Sequence, residues 1–469
     1  MKDKSLAMWG LFMLVISVGL VLRIATLDRK SLWLDEVVTL QIAEMNVKDI
    51  IMRNAIQWEP HPPLYYVLMH YWVRLGYGEA VLRLPSAIAG AIAIPMLYQL
   101  VYEWGGRWNA LASAWLLAIA PLHIWYSQEA RMYALVCTLG LLSTTFYSMG
   151  IRRGKPHYWM AWIIGTLLGL YTDYSMMLIL IIQIALLGPL WRIYGEQQHF
   201  WLPLCAVSIV LLLFFPQMRT FLYQMEQMSK GAGGYYISLQ KLLSEQGIGV
   251  SPLQLHTVVL LVSLCPLVLL FVLPWIIFRR RKKIRPGPGL LLVAIGCYLL
   301  ILVASAIMRG LVVKRQGLIL LPYVVSGIAS VISISHRRSH LLIALSLLTL
   351  PLTGSVVCVQ EQESWREVAR LLKDQATSQH IVLVNASYMR LPLEYYYKEG
   401  SCYGIGPESV PEHISKLITG YNRIWLVLSS DFYTDPEGLV QRWLDENCVL
   451  LNTYTFNRIK VRVYRIGPE

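Results

Sequence analysis

Long apolar runs alternate with short polar loops over the first three quarters of the chain, and the last quarter breaks into shorter periodic segments. An apolar run of about 18 residues or more is long enough to cross ~30 Å of hydrocarbon. The pattern predicts spans at about 6–27, 83–104, 108–125, 131–150, 157–171, 174–191, 199–216, 254–278, 290–308, 316–334 and 340–358, about 11 in all. The first run is too long for a signal-peptide core and no small-residue cleavage site follows it, so it reads as a retained anchor. Residues 28–82 form an expected outer loop, and 217–253 a second one. Within the first, "HPPLYYVLMHYWVRLGYG" at 61–78 is apolar, yet its His61, Tyr65, Tyr66, His70, Tyr71 and Arg74 suit an interfacial helix on the outer leaflet.

The segment 360–469 predicts a small α/β domain. "SWREVARLLKD" is an amphipathic helix with a capping box of Ser364 and Glu367. "HIVLVNA" and "RIWLVLSS" are continuous apolar runs, the mark of strands buried on both faces. "GLVQRWLDENC" predicts a second helix and "VRVYRI" a closing strand, whereas "GIGPES" reads as no nucleotide-binding loop because no strand-to-helix pattern surrounds it. The predicted organisation is therefore a membrane domain over 1–359 and a soluble domain over 360–469.

Composition agrees with this class. The 469 residues are 56% hydrophobic and only 15% charged, against roughly a quarter charged in soluble domains. The net charge of +13 comes from short loops: Lys2 and Lys4, Arg107, Arg152 to Lys155, Arg192, Arg279 to Arg285, and Arg337 with Arg338. Such loops face the cytoplasm under the positive-inside rule, which accounts for the excess without a nucleic-acid partner. An odd number of spans then leaves the C-terminal domain outside. Four cysteines, Cys137, Cys205, Cys265 and Cys297, fall in apolar runs as packing residues. Cys402 and Cys448 lie in the soluble domain and are candidates for pairing in an oxidising compartment.

This topology brings polar clusters to one face: Asp35 and Glu36 in "SLWLDEVVTL", Glu129 and Arg131 in "HIWYSQEARMY", and Asp173 in "LYTDYS". Basic groups on that face are few: Arg83, Arg309, Lys314 and Arg315. Carboxylates at such a boundary serve as general base or hold a divalent cation, and arginine binds phosphate bidentately. These parts suit group transfer from a lipid phosphate to an acceptor outside. They do not name the group.

The ordered motifs "SLWLDE", "HPPLYY", "RLPSAIAGAIAIPMLYQL" and "HIWYSQEARMYAL" resemble bacterial members of glycosyltransferase family 39. These are related to protein O-mannosyltransferases and to the aminoarabinose transferase of lipid A, in the C-type membrane glycosyltransferase superfamily. The likeness covers about residues 5–190, and "VVKRQGLILLPYV" resembles a later segment more loosely. It implies a C-type fold in a bacterial inner membrane, a polyprenyl-phosphate sugar donor, an outward-facing site and inversion at the anomeric carbon. Asp35 matches the acid of the family's first outer loop, its general base. Glu129 matches the acid of the second, Arg131 the adjacent arginine, and His61 the histidine of the His-Pro-Pro motif. Position 173 departs from the family pattern, with Asp where many relatives carry His.

The expected enzyme is thus an inverting polyprenyl-phosphate-dependent glycosyltransferase acting on a protein, lipid or glycan acceptor. Asp35 and Glu129 are its catalytic candidates. Glu36, His61, Arg83, Arg131, Asp173, Lys314 and Arg315 are substrate-binding candidates. The loops bearing Asp35 and Glu129 are expected to converge at the outer rim of the bilayer; no cofactor is required, and these two acids are the candidate ligands should a divalent cation bind. No Ser–His or Cys–His nucleophile stands out, as inversion requires. Two rival classes exist: a transporter, which needs broken helices and mid-membrane polar residues, and a non-catalytic membrane receptor.

Overall fold

In the computed structural model, residues 2–56, 61–194, 201–231, 316–334, 338–358 and 363–467 are described. Spans predicted at 254–278 and 290–308 lie outside these, as do Arg309, Lys314 and Arg315. The apolar runs wind into helices α1 (Lys2–Ile24), α2 (Leu34–Ala43), α3 (Val47–Ile56), α4 (Leu64–Trp72), α5 (Glu79–Ala118) and α6 (Pro121–Ser127). They continue as α7 (Tyr133–Arg153), α8 (Pro156–Thr172), α9 (Met176–Tyr194), α10 (Trp201–Gly231), α11 (Leu321–Ile334) and α12 (Arg338–Cys358). Among the described residues, four helices are long and apolar enough to cross a membrane: Leu6–Ile24, Glu79–Ala118, Tyr133–Arg153 and Trp201–Gln224. The protein is a multi-pass membrane protein.

The chain forms two compact units. The helical unit comprises residues 1–25, 45–74 and 83–357; the other comprises 26–44, 75–82 and 358–469. Within the helical unit, α7 is the central element, 67% buried along its apolar window against 17% for α1. Its seam with α8 and α9 is polar. Ser143 Oγ meets Thr166 Oγ1 at 2.8 Å, and Trp162 Nε1 donates to Gln183 Oε1 at 2.8 Å. Such interhelical hydrogen bonds hold helices together where apolar burial gives no net driving force.

Several sequence expectations change here. The predicted spans at 83–104 and 108–125 correspond to the two helical arms of α5, which meet at a non-helical kink at Gly106 with φ 77° and ψ 177°, a conformation that glycine adopts without steric cost. The second of these spans does not reach residue 125. Pro121 forbids a helical conformation before it and opens α6 at its first turn, so the helix breaks at Ile119 and Ala120. The broken end is held by Arg23, fully buried, which donates to the carbonyls of Leu117 at 3.0 Å and Ala118 at 3.1 Å and to His123 Nδ1 at 2.9 Å. His123 is therefore an interior acceptor. The span predicted at 199–216 runs on as α10 to Gly231, into the expected outer loop. The interfacial stretch forms α4 after Pro62–Pro63, but Tyr65 and Tyr66 point inward and are buried, while Tyr71 and Arg74 are exposed.

The second unit is built on a sheet of order β2-β1-β3-β5-β4, from β1 (His380–Asn385), β2 (Cys402–Ile405), β3 (Arg423–Leu428), β4 (Val449–Phe456) and β5 (Ile459–Arg465). β1 runs parallel to β2 and β3, with Leu383 opposite Leu426, and β5 is antiparallel to β3, with Val427 opposite Val461. Parallel neighbours need helical crossovers. These are Arg390–Tyr396 and Glu412–Leu417. Strand alternation sends Val382, Val384, Trp425 and Val427 to one face, packed with Trp365, Val368 and Leu372 of the helix Trp365–Gln375. Ile381, Leu383, Ile424 and Leu426 go to the other, packed with Val440 and Leu444 of Leu439–Asn447.

The predicted capping box does not form. Ser364 is the N-cap, but its hydroxyl makes no cap bond, and its backbone carbonyl accepts from Glu367 N at 3.1 Å. "GIGPES" begins inside β2, with Gly404 and Ile405 as its last residues, and passes into a short 3-10 turn at Pro407–Ser409 rather than an α-helix. Cys402 and Cys448 are both free thiols: Cys402 belongs to one face of the sheet and Cys448 packs against the other, so the sheet separates them.

Residues 26–44 and 75–82 join this unit through specific contacts. Leu34 packs on the core of the first face. Arg366 pairs with Glu79 at 2.5 Å and donates to Asp28 O at 2.9 Å. Tyr396 OH accepts from Leu32 N at 2.6 Å and donates to Glu79 at 2.9 Å. Burial raises the Tyr396 phenol above its ordinary value, which keeps it protonated for that second bond.

Candidate functional site

In the helical unit, motif residues distant in sequence form one buried polar cluster. Pro62 and Pro63 end the preceding chain and present His61 just before α4. Asp173 is the C-cap of α8 in extended backbone, so its side chain leaves the helix axis. Its Oδ2 lies 3.0 Å from His61 Nδ1, and its Oδ1 accepts from Ser175 N at 2.8 Å. The pair is almost wholly buried, with His61 8% and Asp173 1% exposed.

Tyr133, at the start of α7, joins this pair to the second-loop motif. Its ring is edge-on to His61 at 6.2 Å and lies 5.9 Å from the Arg131 guanidinium carbon. Arg131 Nη1 donates to Tyr66 OH at 3.4 Å, and Arg131 O accepts from Ser86 Oγ at 2.8 Å. Ser86 in turn meets Tyr65 OH at 2.9 Å, which ties the inward face of α4 to α5. Glu129 is two residues from Arg131, and its Oε1 accepts from Trp125 Nε1 at 2.7 Å. Arg83 sits one helical turn before Ser86 and is 1% exposed. It is an interior charge.

The cluster thus gathers His61, Asp173 and Arg131 by direct or bridged contact, with Glu129 and Arg83 on the adjoining segments. Ionisable groups buried in a membrane-embedded unit are costly, persist when paired, and mark functional sites by default. Sequence reasoning missed Tyr66, Tyr133 and Ser86 as members. The available signal was their position within the same motifs as His61, Arg83 and Arg131.

Asp35 and Glu36 belong to the other unit, in the first turn of α2. Glu36 is fully buried, and its Oε2 accepts from Trp33 N at 3.3 Å, so it folds back on its own helix start. Asp35 is half-buried, and its backbone carbonyl accepts from Thr39 Oγ1 at 2.9 Å. Among the described residues, no three His, Cys, Asp or Glu side chains stand together as a metal-binding group.

Residues 60–218, which contain every cluster member above, match the family model described as dolichyl-phosphate-mannose-protein mannosyltransferase. Asp35 and Glu36 fall outside that segment. No curated protein sequence matches the chain. Among solved structures, ArnT from Cupriavidus metallidurans bound to undecaprenyl phosphate is similar over 98% of this chain and 99% of its own, at 15% identity and TM-score 0.53. The Archaeoglobus fulgidus oligosaccharyltransferase in complex with Zn and sulfate is similar over 96% of this chain and 72% of its own, at 12% identity and TM-score 0.53. Residues 60–218 thus carry that family's sequence signature, and 98% of the chain shares the fold of the solved ArnT structure.

Proposed function

We propose that the protein is an inverting glycosyltransferase that moves a sugar from a polyprenyl-phosphate donor to an acceptor outside the cytoplasm. The observation that carries this reading is the buried His61–Asp173–Arg131 cluster inside the family segment. The solved relative that holds undecaprenyl phosphate supports a polyprenyl-phosphate donor.

In the proposed reaction the acceptor hydroxyl attacks the anomeric carbon on the face opposite the phosphate. Its oxygen forms the new glycosidic bond, and its proton passes to the Asp35 carboxylate. The bond between the anomeric carbon and the phosphate oxygen breaks, and lipid phosphate leaves with the electron pair. That step gathers negative charge, which Arg131 and Arg83 are assigned to neutralise, together with Lys314 and Arg315 outside the described residues. The Asp173 carboxylate fixes the His61 ring through Nδ1, which directs Nε2 toward the substrate. Glu129 is assigned to orient the sugar or the acceptor.

The test uses full-length protein in detergent with a panel of labelled polyprenyl-phosphate sugars, scoring release of lipid phosphate. The wild type is expected to release it with at least one donor. Asp35→Asn is expected to lose about two to four orders of magnitude, the usual worth of general base catalysis. Equal release by both proteins removes Asp35 as the base, and no release with any donor in the presence of broad acceptor mixtures removes the glycosyltransferase reading.

A further inference from the structure

We propose that the helical unit carries a binding site for an anionic phospholipid at its basic end, remote along α5 and α7 from the motif cluster and independent of the transfer reaction. A cavity of about 120 Å³ opens between α5, α7, α9 and α11, walled by Leu100, Trp104, Ile182, Leu186, Leu190 and Tyr323. That volume is below the ~300–1,000 Å³ common for whole-ligand pockets and has room for part of one alkyl chain, the rest lying along the lipid-facing groove. Most of its polar wall atoms have protein partners, while Ser148 Oγ has none among the described residues. Tyr323 OH lies 2.6 Å from Thr144 Oγ1, Gln183 Nε2 donates to Ser143 and Thr144 at 3.1 Å, and Ser326 Oγ donates to Tyr323 O at 2.8 Å. The remaining lining is mostly aliphatic and aromatic, and a predominantly apolar cavity holds water poorly and takes hydrocarbon.

The rim supplies the second, independent observation. Arg152 and Arg153 at the end of α7 both bind the single carboxylate of Glu103, at 3.1 and 2.8 Å. Two exposed cations on one anion leave net positive charge. The Arg152 guanidinium also lies 5.1 Å from the centre of the Trp104 ring, which is itself a wall of the cavity. A charged rim beside an interfacial tryptophan, above an apolar slot between helices, matches a molecule with a phosphate diester head and alkyl tails. Basic pockets between spans are the physical form of such lipid sites. Arg83 lies near the start of α5, and Glu129 and Arg131 precede the start of α7, whereas Trp104 lies beside the α5 kink and Arg152 and Arg153 end α7.

The test titrates the full-length protein in detergent with phosphatidylglycerol and with phosphatidylcholine of the same chains, read by native mass spectrometry. The wild type is expected to prefer phosphatidylglycerol. Arg152→Gln and Arg153→Gln are each expected to weaken it about fivefold, the worth of one arginine beside an anionic lipid. Glu103→Gln is expected to tighten it, which no loss of folding would mimic. Ser326→Phe, which fills the cavity, is expected to abolish retention while leaving lipid-phosphate release intact. Equal binding of the two lipids, or unchanged binding in Ser326→Phe, overturns the proposal. Displacement of phosphatidylglycerol by undecaprenyl phosphate at one-to-one stoichiometry, lost in the same arginine variants, also overturns it, because the cavity then belongs to the donor's chain.

Discussion

The His61–Asp173 pair lends itself to a quantitative test. Its 3.0 Å contact is shielded from water on both sides. A hydrogen bond to a charged group contributes about 1.5–3 kcal/mol net. Removing one member of a buried pair costs more, about 3–5 kcal/mol, because the other is left uncompensated. Asp173→Asn keeps the shape and the bond from Ser175 N, yet turns an NH2 group toward His61 Nδ1. That nitrogen must then accept, and the ring proton moves to Nε2. His61→Gln removes the ring, and the double variant closes a cycle. The coupling energy is expected at about 1.5–3 kcal/mol, or roughly tenfold to a hundredfold in transfer rate. Initial release of lipid phosphate measures the rate coupling, and unfolding temperature in detergent separates it from simple loss of fold. Additivity within about 0.5 kcal/mol in both readouts would refute the idea that Asp173 acts through His61.

Three further outcomes follow from the fold. Arg23→Ala strips the buried donors that hold Gly19, Leu117, Ala118 and His123 and is expected to cost about 3–5 kcal/mol, with Arg23→Lys intermediate because one ammonium cannot serve the same fork; an unfolding temperature equal to wild type for Arg23→Ala removes it as the brace of the broken helix. Gly404→Ala is expected to destabilise by about 1–3 kcal/mol, since a Cβ there would sit 2.6 Å from the backbone oxygen of Ser387, which cannot move aside as a flexible side chain does; a neutral thermal shift contradicts this. Burial, and then the Arg423 charge, lower the His380 imidazole below its usual 6.5. Its Nδ1 accepts from Thr377 N at 3.1 Å, so protonation favours the unfolded chain. The stability it contributes is present above pH 6.5 and lost as pH falls through the lower folded value. Wild type should therefore lose more stability toward acid than His380→Gln, and parallel melting curves would dismiss the effect.

The sequence by itself determined the class, the helices and the motif residues, because each rests on local pattern. An 18-residue apolar run has few ways to satisfy its backbone in lipid other than as a helix, so α1, α7 and much of α10 are legible from composition alone. Alternation and continuous apolarity likewise placed β1, β3 and β5. The edge strands β2 and β4 escaped notice, since β2 is only four residues long and β4 exposes most of its side chains to solvent.

Tertiary structure alone decided which charges meet. His61 and Asp173 are 112 residues apart, and nothing in either segment specifies the other as partner. It likewise assigned residues 26–44, with Asp35, to the unit built on the C-terminal sheet, through Arg366, Tyr396 and the core contact of Leu34. It also took Cys402 and Cys448 to opposite faces of that sheet. Periodicity reports how one segment meets its solvent; the pairing of segments is set by packing and by the cost of leaving a buried charge without a counterpart, which no local window contains.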